Sequence, residues 1–307
     1  MKSRRALTMV LAVALVAALL TPVLVHASSY YYESVTVSQG EKQKRADEMK
    51  IIAWVDGPKS KVQFVGGAKK GIYAEGSYLV TKDGGEAVYY VDPKEETYAL
   101  FDIEQMMAMA GQMMEMMEQM GGMMKMEFTN TYNEMLLEEP GESIHGRSTT
   151  HYRYKSGYTM SMKMMGFKQQ TTIDSIQDLW CTEELDSQGF GIWLRPDRNM
   201  KTGNDEFDNL INTEMEKIKG FPLKTATVST TTNKKGKSVK NTATTEVVVL
   251  REETIADSTF GWPSHYTETQ MVPEMPEGYG DQQAEGGKKK KKKGGLSGLF
   301  KKPDDDG

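Results

Sequence analysis

One cysteine, Cys181, occurs in 307 residues, so an intramolecular disulfide is excluded and the fold must rest on its core. A buried thiol is the plainer reading of that residue, and a disulfide between two copies is the other. Histidine is nearly as scarce, with four residues. His145 and His151 are six positions apart, or ~20 Å along a strand, too far to chelate one ion. The chain has no Gly-x-Ser-x-Gly elbow, no His-Glu-x-x-His, no Walker loop and no Rossmann glycine pattern. Aspartate and glutamate total 43, yet no spacing marks two of them as an acid–base pair. The sequence therefore predicts a protein that is not an enzyme and holds no cofactor.

What the first residues do contain is an ordered series: Lys2, Arg4 and Arg5, then the apolar stretch Met9–Leu20, then Val25-His26-Ala27. Basic, apolar and small-residue regions in that order predict a cleaved secretory signal over 1–27, with the mature chain in the periplasm or the medium. Loss of three basic residues takes the net charge from −5 to −8. An acidic body argues against nucleic acid as a partner. Residues 273–307 are rich in Pro, Gly and charge and read as a disordered tail. Its lysines, among them Lys288, Lys291 and Lys293, flank Leu299 and Phe300. These five are candidates for contact with an anionic membrane surface, and a solubilising tail is the alternative.

Between these ends, residues 28–272 read as one domain. Short β-branched and aromatic runs from Ser34 to Phe101 are separated by Asp56-Gly57-Pro58, Gly66-Gly67 and Asp83-Gly84-Gly85. That pattern predicts an antiparallel meander. Further strands are predicted at Glu127–Leu137, Ser148–Tyr154, Tyr158–Met165 and Gln169–Trp180. Two long Thr/Val-rich ones follow, joined by Asn233-Lys234-Lys235-Gly236. Helices are predicted at about 103–126, capped by Asp102, and at about 205–219.

Methionine carries the unusual signal. Eleven of the 23 methionines fall between Ile103 and Met126. Met106, Met113, Met117, Met120 and Met124 recur at helical spacing, and Met160, Met162 and Met164 alternate along a strand. Three readings stay open for these eight residues. They are ordinary core, or they line a deformable pocket for an acyl chain or lipid, or they hold Cu(I) through thioethers, with Met113, Met117 and Met120 as ligands.

Trp180 at a strand end, Lys219-Gly220-Phe221-Pro222-Leu223-Lys224, Thr245-Glu246-Val247 and Phe260-Gly261-Trp262-Pro263-Ser264-His265-Tyr266 form a further pattern. With Asp92-Pro93-Lys94 and the Met-rich helix, it resembles an exported bacterial family of the domain-of-unknown-function 4412 type, over about residues 33–271. The family is usually compared with the LolA-like carriers. The resemblance implies a mainly β (α+β) fold, a strongly curved antiparallel sheet forming an open half-barrel with two covering helices. It implies no catalytic residues. Relatives of that shape carry acyl chains or lipoproteins, so it also implies an apolar ligand or lipid-modified partner. An envelope protein with a packed interior remains the structural alternative.

Overall fold

The computed structural model describes residues 29–271, leaving out 44, 68–72, 103, 107, 110–111, 113–123, 165–166, 186–204 and 218. The described residues fall in one compact unit that ends at Met271. The expected leader over 1–27 and the tail over 273–307, with its five membrane-contact candidates, lie outside them.

Strands dominate: β1 Tyr30–Gly40, β2 Asp47–Asp56, β3 Lys59–Gly66, β4 Tyr78–Thr81, β5 Val88–Asp92 and β6 Thr97–Leu100 form the first series. The second comprises β7 Met124–Pro140, β8 Thr150–Met164, β9 Phe167–Thr182, β10 Phe221–Asn233 and β11 Ser238–Glu252, with the two-residue β12 Thr267–Glu268 at the end. Together they make one twelve-stranded sheet, ordered β12-β6-β5-β4-β3-β2-β1-β11-β10-β9-β8-β7. Every neighbouring pair is antiparallel except β12 with β6. The sheet is open, with β12 and β7 as its two edges, in agreement with the half-barrel expected from the sequence.

The order has a topological consequence. β6 lies next to one edge and β7 forms the other, so the two strands that the Met-rich segment joins stand at opposite sides of the sheet. Asp102 caps the start of this link, accepting the Gln105 N–H at 2.8 Å, and residues 104–106, 108–109 and 112 are helical. Helix was expected to run to Met126, but 124–126 already belong to β7. From Met124 onward apolar and polar residues alternate, which is strand periodicity.

A second correction concerns β8. The sequence suggests two strands interrupted near Ser156-Gly157, whereas β8 runs unbroken through both residues. Gly157 marks a close approach here, because Tyr132 of β7 lies directly over it. The Asn233–Gly236 turn is as expected: Asn233 Oδ1 accepts the Lys235 and Lys237 N–H groups, and Gly236 takes φ 74°.

The larger core lies on the inner face. Tyr30 and Tyr32 of β1, Ala53 and Val55 of β2, Val62, Leu79 and Val88 pack with Leu223 and Val247 from the second series. The edge-to-face pair Tyr32–Phe221, 5.4 Å between ring centres, closes this cluster across the sheet. The outer face of β3–β6 is covered by the C-terminal segment. Phe260 of the 3-10 turn Asp257–Phe260 packs on Tyr78, Val80 and Val91, while Trp262 stacks on Tyr89 and Tyr98. The one complete helix among the described residues, α1 Asp205–Met215, packs beside β7 and β8.

Candidate functional site

Register decides which side chains share a face. In β8 the residues Tyr152, Tyr154, Ser156, Tyr158, Met160 and Met162 alternate onto the inner face, where α1 lies. Two contacts fix that side: Lys217 Nζ donates to Ser156 Oγ at 3.0 Å, and Asn133 Nδ2 of β7 donates to the Thr213 carbonyl at 3.4 Å. Across the β7–β8 ladder Phe128 stands opposite Met160, Met126 opposite Met162, and Met124 opposite Met164. The Phe128 and Tyr158 rings are 6.0 Å apart. Phe128 is buried, and Tyr158, Met126, Met160 and Met162 are half-buried.

The result is a graded strip along the inner side of β8. At one end Tyr152 and Tyr154 cluster with Leu179 and Cys181. Ser156 and the ammonium of Lys217 follow, and the thioethers and Phe128 close the far end. Burial pushes the Tyr158 phenol above its ordinary pKa, and the nearby Glu214 carboxylate raises it further. The phenol therefore stays neutral at ordinary pH.

Of the eight methionines singled out by spacing, the structure brings Met124, Met160, Met162 and Met164 together in two adjacent strands. Met106 packs elsewhere, against the Tyr30–Leu79 cluster. Met113, Met117 and Met120 lie outside the described residues. Sequence reasoning missed Phe128, Tyr154, Ser156, Tyr158 and Lys217. The signal was present as period-two alternation from Tyr152 to Met162, hidden by reading Gly157 as a break.

The inner face is not apolar throughout. On the distal halves of β1, β11 and β10 it carries Thr36, Ser38, Thr245, Asn241, Thr227 and Ser229. Thr36 and Thr245 share a hydrogen bond at 2.9 Å. A shallow depression of about 240 Å³ lies at the ends of these strands, bordered mostly by Ser, Thr, Asn and Gln residues such as Ser38, Thr227 and Asn241. Along this face the apolar residues of β7–β8 thus give way to hydroxyl-bearing ones on β10, β11 and β1.

The remaining chemistry-bearing residues are structural. His145 sits in a turn with φ 51°, and its Nε2 lies 2.7 Å from the Val247 carbonyl oxygen. His151 is not solvated. Its ring lies parallel on Trp180 at 4.4 Å, with Nε2 2.7 Å from Asp178 and Nδ1 3.5 Å from Glu139. Arg153 Nε donates to the same Asp178 oxygen at 2.7 Å, an ion pair that ties β8 to β9. Cys181 is a buried free thiol, pushed up to about 11 by burial and so inert near neutrality. Among the described residues no three His, Cys, Asp or Glu gather as a metal site. Nor is any helix among them long and apolar enough to cross a membrane.

No protein-family model matches the sequence, so membership of the exported family that it resembles is not shown, and no curated protein matches it either. Two solved structures are similar over most of the chain. One is an outer membrane lipoprotein-sorting protein domain from Vibrio parahaemolyticus, at 9% identity and TM-score 0.26, covering 76% of this chain and 89% of that one. The other is a DUF1329 family protein from Desulfovibrio piger, at 9% identity and TM-score 0.29, covering 76% of this chain and 90% of that one.

Proposed function

We propose that this chain is an exported, non-enzymatic binding protein that holds the acyl chain of a lipid or lipid-modified partner against the inner face of β7 and β8. The observation that carries the reading is the strip Phe128, Tyr158, Met160, Met162 and Met126, which is half-buried apart from Phe128 and shares the face of the open sheet that carries the larger core. A core residue in a finished interior is fully enclosed, as Val62 and Leu79 are at 1% and 2% exposure. The strip stops short of that. Methionine has three rotatable bonds and a polarizable sulfur, so such a wall adapts to chains of differing shape. Export rests on the basic, apolar and small-residue order of residues 1–27.

Binding of a fluorescent fatty-acid probe to the purified full chain tests the reading. The double variant Met160→Glu/Met162→Glu is expected to lose binding, because an unpaired carboxylate on an apolar wall is strongly disfavoured. Met160→Leu/Met162→Leu is expected to keep it, since Leu and Met are nearly volume-matched. Wild-type protein that takes up no probe, or glutamate variants that bind as well as wild type, would overturn the proposal. Loss on leucine substitution together with Cu(I) uptake by wild type would assign the methionines to a soft metal instead.

A further inference from the structure

The polar end of the strip points to the kind of head its ligand carries. Lys217, two residues beyond the end of α1, is 2% exposed, the only charged side chain among the described residues to be so enclosed. Its ammonium is a triple donor. Among the described residues it has two hydrogen-bond acceptors, Ser156 Oγ at 3.0 Å and Glu214 Oε1 at 2.7 Å. The Tyr154 ring lies 5.7 Å away. The third N–H has no acceptor among the described residues, and burying an ammonium is costly unless its hydrogen bonds are made.

The partner it has is also replaceable. Glu214 is 42% exposed at the side chain and reaches Lys217 from one helical turn back, so it can turn out to water at little cost. Ser156, by contrast, is buried and fixed in the centre of β8. From Ser156 the inner face continues through Tyr158 and Met160 to Met162, six residues or about 20 Å, the span of a long acyl chain.

We infer that Lys217 and Ser156 form the headgroup subsite of an anionic amphiphile whose chain runs along Tyr158, Met160 and Met162. This rests on the acyl-binding reading above and adds the charge of the ligand. A carboxylate or phosphate oxygen would take the spare ammonium proton and displace Glu214, while Ser156 Oγ–H donates to the same anion. The site therefore prefers an acid over an alcohol of equal chain length. A lysine placed only to pair with Glu214 near the negative end of α1 gives no such preference.

Binding of hexadecanoate, hexadecyl phosphate and hexadecanol to the full chain, measured by displacement of a fluorescent fatty-acid probe, separates these cases. Wild type is expected to bind at least one of the two anions about tenfold or more tightly than the alcohol, the worth of one charge-assisted hydrogen bond. Whichever anion is favoured identifies carboxylate or phosphate as the head. Lys217→Met is expected to abolish the preference for the anions over hexadecanol, and Lys217→Arg to retain much of it. Equal loss of acid and alcohol in Lys217→Met, in protein whose thermal unfolding matches wild type, would make the lysine merely structural and overturn the inference. So would wild-type protein that binds all three alike. Wild type that binds none of the three defeats the acyl-binding reading itself.

Discussion

A side-chain carbon on Gly157 would lie 2.5 Å from the carbonyl oxygen of Ile173 in the neighbouring strand. The same carbon would meet the Tyr132 ring at 2.8 Å from the other side. The two obstacles differ in kind, since the ring tip can swing away and the ladder carbonyl cannot. Gly157→Ala is therefore expected to destabilise the domain by about 2 kcal/mol or more. Tyr132→Leu in the same chain should restore little of that loss. Urea unfolding of the single and double variants checks this, and full rescue would show that the ring is the constraint.

Asp178 provides a pH-dependent prediction. Burial by itself raises its carboxyl, but hydrogen bonds from Arg153 and His151 outweigh it and hold the group below the usual carboxylate range. A depressed folded-state pKa contributes stability that is present above the unfolded value of about 3.9 and disappears as pH falls through the lower folded value. Asp178→Asn should thus cost about 1–3 kcal/mol at pH 7, as for a lost charge-assisted hydrogen bond. Below about pH 4 the gap between variant and wild type should close. Denaturant midpoints measured from pH 2 to pH 7 provide the comparison.

Cys181 reports on the integrity of the Tyr152–Leu179 cluster. With its thiol pushed up to about 11 and its side chain enclosed, native protein at pH 8 should react with a disulfide reagent far more slowly than protein in denaturant. The raised value also means that stability declines as pH climbs above the unfolded thiol value of about 8.5. Rapid native labelling would show that the cluster opens readily.

The C-terminal segment is predicted to be integral to the fold. Phe260 is fully buried against Tyr78, Val80 and Val91 on the outer face, and Tyr78 donates its hydroxyl hydrogen to the Gly261 carbonyl at 3.0 Å. Phe260→Ala is expected to cost about 3–5 kcal/mol, the range for large-to-small core changes. An unfolding midpoint within error of wild type would mean that residues 253–271 rest on the sheet without supporting it.

Local chemistry in the sequence determined the elements: β-branched runs became strands, Asp102 a helix cap, and Asn233–Gly236 a hairpin turn. These outcomes depend on neighbours within a few residues, which is why they could be read in order along the chain. The resemblance over about residues 33–271 correctly implied an open, mainly β sheet. What only the tertiary structure decided was pairing. The sequence does not show that β1 would join β11, so that β6 and β7 stand at opposite sides, because that contact links positions more than two hundred residues apart. Nor does it show that Gly157 continues a strand, since the reason lies in Tyr132 and Ile173 on the two neighbouring strands. Lys217 illustrates the limit most clearly. In sequence it is one lysine in an acidic helical stretch, and only the packing of α1 against Ser156 and Tyr154 encloses its charge on the inner face.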